Sequence, residues 1–173
     1  MHPWRQPILL IAVACAACGP RPMDSTKSQP LSARREAAID VDVRAFAFDV
    51  ARDITAEGPA AWRRYFSESP AFFMAADGNL QFPDSATATA GIQALARTIQ
   101  HIDLKWSDNL RVDPLAPDLA MIATPYHEMI VTSSGTRLDS TGFFTGVTEF
   151  RDGRWRFRNA HWSSAPQPAA ASR

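Results

Sequence analysis

The sequence predicts an α+β fold in which helices from the first half of the chain cover a sheet built by the second half. Three observations carry this reading. From Ser32 to about Glu57 apolar residues recur every three or four positions, the period of a helix with one buried face. From Ile102 onward the chain is almost wholly strand-forming, broken only by clusters of turn residues. The last two runs meet at Asp152-Gly153, a two-residue hairpin signal. Helices grouped ahead of strands, rather than alternating with them, define an antiparallel layer fold rather than a doubly wound one.

In order, Ser32 is a candidate N-cap, and Ile39, Val43, Phe46, Val50 and Ile54 form the apolar face of the first helix. Gly58-Pro59 stops it and starts a shorter helix with an aromatic side of Trp62, Tyr65 and Phe66. Ala71–Ala75 and Leu80–Phe82 read as a small hairpin around Asp77-Gly78-Asn79. A third helix over about Thr87–Gln100 places Ile92, Leu95, Ala96 and Ile99 on one face. Four strands follow: Ile102–Val112, Leu119–Ser133, and the two arms of the hairpin at Asp152-Gly153, with residues 113–118 and Ser134-Gly135 as separators.

The 173 residues suit one domain, and 46% hydrophobic against 21% charged residues fits a globular chain. Eighteen basic residues balance eighteen acidic ones, so no net charge draws the chain to nucleic acid, and none is expected as a partner. Residues 1–18 read as an export signal: Arg5, a short apolar run from Ile8 to Ala14, then small residues. Ala16-Ala17-Cys18-Gly19 resembles the lipobox of bacterial lipoproteins, with Cys18 as the lipidated residue and Cys15 as its competitor. That likeness implies an exported, lipid-anchored protein of the cell envelope, on the outer rather than the inner membrane because Asp does not follow the cysteine. Residues 19–31, rich in proline and small polar residues, form a tether; 32–164 are the domain and 165–173 a disordered tail. Both cysteines lie in the signal, so the domain has no internal disulfide.

The runs GIQALARTI, DLAMIATPYHEMI and GFFTGVTEFRDGRWRFRNAHWS resemble the SnoaL-like, polyketide-cyclase-like group of the NTF2-like superfamily, over roughly Ala37 to Ser164. Thr145-x-Val147, Asp152-Gly153-x-Trp155 and His161-x-Ser163 are the most specific parts. The resemblance implies a cone of strongly curved, mostly antiparallel sheet with about three helices on its concave side, frequently a dimer joined through the sheets.

Counting register outward from Asp152-Gly153 sets Phe144 opposite His161 and Gly146 opposite Asn159, on the face under the helices. Treating Ser134-Gly135 as a second two-residue loop brings His127 to the same face. The expected ligand site is therefore His127, Asn159, His161 and Phe144, rimmed by Tyr65 and Trp106. A histidine there would serve ligand recognition or acid–base chemistry. The same count puts Glu149, Arg156 and Arg158 on a wet outer face with Glu128 and Asp139. It also sets Tyr126, Phe143 and Trp162 side by side there, an aromatic patch expected at a homodimer interface. No HExxH, Walker-A loop or GxSxG occurs and there are four histidines, so neither metal nor cofactor is expected. The functional expectation is a small-molecule-binding or interaction module, with a cyclase, isomerase or hydratase using a pocket histidine as the alternative.

Overall fold

A computed structural model describes residues 30–166; the signal segment with Cys18, nearly all of the tether and the end of the tail lie outside the described residues. Helix α1 spans Ala33–Glu57, capped by Ser32, whose hydroxyl accepts from the Arg35 N–H at 3.3 Å, and stopped by Gly58 at φ 78°. A 3₁₀ segment, Pro59–Arg64, follows. Strands β1 (Phe73–Ala76) and β2 (Asn79–Phe82) are joined through Asp77-Gly78, both at positive φ. Helix α2 (Ser85–Thr98) starts at Asp84, whose carboxylate accepts from the Thr87 N–H at 2.7 Å. The remaining strands are β3 (Ile99–Trp106), β4 (Arg111–Ala116), β5 (Leu119–Thr132), β6 (Arg137–Arg151) and β7 (Arg154–Ser164).

The strand expected from Ile102 to Val112 is thus two. The chain leaves the sheet after Trp106 and re-enters at Arg111, so β3 and β4 lie end to end along the same edge of β5. Residues 113–116, expected as a loop, are strand; Pro114 is tolerated because β4 pairs on one side only.

The sheet order is β2-β1-β7-β6-β5-β3, with β4 beside β5, and only β1 and β7 run parallel. The sheet is curved and stays open, with the helices on its concave side, which is the expected cone. Side chains fasten α1 to it: the Trp106 indole donates to the Ala47 carbonyl at 2.7 Å and the Leu104 N–H donates to Thr55 Oγ1 at 3.0 Å. All five residues expected on the apolar face of α1 are buried. Beneath them the inner sheet face is aromatic, with Phe157 touching Phe46 and Phe144, and Phe144 touching Trp106 and Trp162.

Two features set the register. Asp152-Gly153 is a two-residue turn with φ of 53° and 77°, and pairing runs as expected from Arg151–Arg154 to Thr148–Phe157. Val147 then pairs with Asn159, leaving Arg158 as the extra residue of a bulge, and every later residue of β7 changes face. At the other end of β6 the loop takes three residues, Ser133-Ser134-Gly135. The Thr132 N–H donates to the Thr136 carbonyl and the Gly135 N–H to the Thr132 carbonyl, both at 2.9 Å, with Gly135 at φ 83°. That third residue slides β5 by one against β6, so Tyr126 faces Gly142 and His127 faces Thr141.

Candidate functional site

The shifted register brings Glu128, rather than a histidine, to the inner face. Its pairing partners are Leu104 on β3 and Ser140 on β6. In front of it lies a cavity of about 120 Å³. The 3₁₀ segment and the residues after it contribute Trp62 and Phe66, the β1–β2 hairpin Met74 and Phe82, α2 Ile92 and Leu95, and β7 Trp162. The cavity exists because α2 seals only its first half: Ala88 and Ile92 are buried, but Leu95 is 39% exposed at the rim. Gly91 lets the Phe82 ring lie flat against α2, since a Cβ there would come within 2.3 Å of it.

Glu128 is the one ionisable lining residue, and no hydrogen bond reaches its carboxyl among the described residues. Burial alone raises its pKa above the ordinary glutamate range, because desolvation disfavours the charged form. An unpaired carboxyl in an apolar, concave site makes Glu128 the candidate functional group of the cavity. It holds its proton more firmly than a glutamate in water, and it is open to a ligand.

The expected ligand residues do not assemble. The bulge at Arg158 turns Asn159 and His161 to the convex face, where with Phe73, Met121 and Thr145 they line a separate shallow groove of about 150 Å³. The three-residue loop turns His127 outward too, with its Nε2 2.8 Å from Asp139 Oδ1 in solvent. Phe144 and Trp106 do face inward, but they are buried behind Trp162 and do not line the cavity. Tyr65 is on the far side, its ring against Phe46 and its hydroxyl donating to Asp53. That hydrogen bond, with Arg64 and Arg52, holds Asp53 down at about 2, while burial and Asp53 push Tyr65 up to about 12.

The same shifts break up the expected outer aromatic patch. Tyr126 is 5% exposed on the inner face, edge-on to Trp162 at 4.8 Å, and Phe143 alone stays outside, 45% exposed. Glu149 and Arg156, expected in water, are buried under residues 65–70, which pair with the first half of β7 through Ser67 N–H and the Phe157 carbonyl at 2.8 Å. Ser67 donates to Glu149 there, and Arg158 reaches the same carboxylate at 3.4 Å. Asp77, at the tip of the β1–β2 hairpin, accepts from the Ser164 N–H at 2.6 Å and from its hydroxyl at 3.0 Å. This clamps the hairpin wall of the cavity to the end of β7, and the two bonds hold the Asp77 carboxyl below its usual range. Among the described residues no three His, Cys, Asp or Glu side chains gather as a metal site, and no helix is long and apolar enough to cross a membrane.

An open, curved, mostly antiparallel sheet with three helices closing its concave side, over an apolar cavity, is the NTF2-like fold. Solved structures resemble most of the chain. A proposed scytalone dehydratase from Novosphingobium aromaticivorans superposes with TM-score 0.63 at 13% identity, over 77% of this chain and 88% of its own. A hexachlorocyclohexane dehydrochlorinase, LinA type 2, gives 0.63 at 13% over 82% and 95%. An NTF2-like superfamily protein from Salmonella enterica gives 0.59 at 14% over 81% and 98%. At these identities the likeness establishes the fold. No family model and no curated protein sequence matches the chain.

Proposed function

We propose that this chain is an exported, lipid-anchored NTF2-like domain of the SnoaL-like group whose cavity binds one small, largely apolar molecule against Glu128. The observation that carries the reading is the half-buried, unpartnered Glu128 carboxyl in a cavity otherwise lined by apolar side chains. A cavity of about 120 Å³ accommodates a molecule of roughly benzene size. Export and anchoring rest on residues 1–18 and Cys18. A homodimer joined through the convex faces belongs to the same proposal, supported by Phe73 and Phe143, 44% and 45% exposed there.

The test is untargeted mass spectrometry of small molecules that co-purify with the full-length chain, compared with Leu95→Trp, which plugs the rim with an indole. A ligand present with the wild type and lost from the variant is the expected result; identical extracts would refute occupancy. A second reading is catalytic. The raised proton affinity of Glu128 suits a general acid–base that moves a proton on a bound substrate. Neighbours named as a proposed scytalone dehydratase and a hexachlorocyclohexane dehydrochlorinase share this fold. In that case the co-purified molecule is consumed on incubation, at a rate that collapses in Glu128→Gln, whereas a binder returns it unchanged.

A further inference from the structure

Resting on the reading of the cavity as a ligand site, we infer that its ligand is a small organic cation, a methylated ammonium rather than a neutral apolar molecule. Four of the eight lining residues are aromatic: Trp62, Phe66, Phe82 and Trp162. Trp62 and Trp162 both line the cavity and stand perpendicular to each other at 5.8 Å and 89°; Phe66 stacks on Trp62 at 5.4 Å and 24° and Trp106 on Trp162 at 5.5 Å and 28°, so at most the other face of each indole is open to a ligand. Aromatic faces carry negative quadrupole potential and attract a cation placed over them. The single ionisable group lining the same cavity is a carboxyl of the complementary sign.

The lining also says what the site does not suit. It contains no lysine, arginine or histidine and no hydroxyl, so nothing there balances an anion or orients a sugar-like ligand. A neutral hydrocarbon seated there would cover the Glu128 carboxyl without giving it a partner, and a polar group buried in that way is costly. An ammonium with methyl groups resolves both demands, since its methyls fill apolar volume and its charge meets the carboxylate.

No other charged residue lines the cavity itself. On β3, His101, Asp103 and Lys105 pair with Val131, Met129 and His127, on the face opposite Glu128. On β5 and β6, His127 and Asp139 bond each other in solvent. Arg63 and Glu68 line an adjoining cleft that meets the cavity at Phe66 and Ile92, Arg64 is engaged by Asp53 and Glu57, Arg97 of α2 is exposed, and His161 is on the convex groove. The affinity for a cation therefore follows the ionisation of Glu128 and rises with pH.

The test compares choline with its uncharged tert-butyl analogue, identical in shape but with carbon in place of nitrogen, by calorimetry on the full-length chain. Choline is expected to bind at least about tenfold more tightly than the analogue. That preference should grow with pH and vanish in Glu128→Gln, with Trp62→Leu, which keeps the carboxylate, also weakening choline. If the analogue binds as well as choline or better, the cation inference falls and the cavity reading stands. If neither binds, and Leu95→Trp changes nothing in the co-purified extract, both fall.

Discussion

Glu128 is held where water would otherwise favour its ionisation, and this has a sign that can be measured. A carboxyl whose folded pKa is raised stabilises the fold fully only below its unfolded pKa, and that contribution is lost as pH rises through the folded value. Glu128→Gln should therefore melt higher than the wild type at neutral pH, with the gap closing toward pH 4 in thermal scans. Asp53 runs the other way. Its folded value of about 2 lies below the ordinary 3.8, so its contribution is present above 3.8 and disappears as pH falls toward 2. Asp53→Asn should cost about 1–2 kcal/mol at neutral pH, by chemical denaturation, and flatten the acid limb of the stability curve. At this scale the sequence was a poor guide to the site. Glu128 sits in a run, Tyr126 to Val131, whose two alternating sets, Tyr126, Glu128, Ile130 and His127, Met129, Val131, each hold two apolar side chains and one ionisable one, so period alone does not say which set faces in.

The elements were far more legible than the residues on them. Ser32, Gly58, Asp77-Gly78 and Asp152-Gly153 end or turn their elements by local chemistry that is readable from residue type, and the structure uses each as expected. Register depends instead on counting, and two single-residue events defeated the count. The bulge at Arg158 carries no glycine or proline to announce it, and Ser133-Ser134-Gly135 differs from a two-residue turn only by which serine is strand. Between them they exchange the faces of His127, Asn159, His161, Tyr126 and Trp162, while leaving β5, β6 and β7 close to where they were expected. Gly142 follows from the corrected register. A Cβ there would lie 2.1 Å from the Ser163 carbonyl and 2.7 Å from the Tyr126 ring. Gly142→Ala should destabilise by about 2–3 kcal/mol by denaturant titration, far more than substitution in an open turn such as that of Gly135 costs through space alone.

Across the whole molecule, the proposal is of a membrane-tethered cone with its cavity on one side of the sheet and its partner surface on the other. Cys18→Ala should abolish incorporation of a labelled fatty acid; labelling that persists would move the anchor to Cys15. Phe143→Glu, on the convex face, should lower the mass measured by light scattering to that of a monomer if sheets join two copies. The cavity and the convex face belong to different layers, so that variant should leave ligand binding intact. The most direct test of the account is a carbon-13 NMR titration of the Glu128 side-chain carboxyl in the unliganded protein. The account predicts a midpoint clearly above the ordinary glutamate value of 4.5. A midpoint at or below 4.5 would contradict it, because a carboxyl that ionises as easily as in water is neither buried nor waiting for a partner.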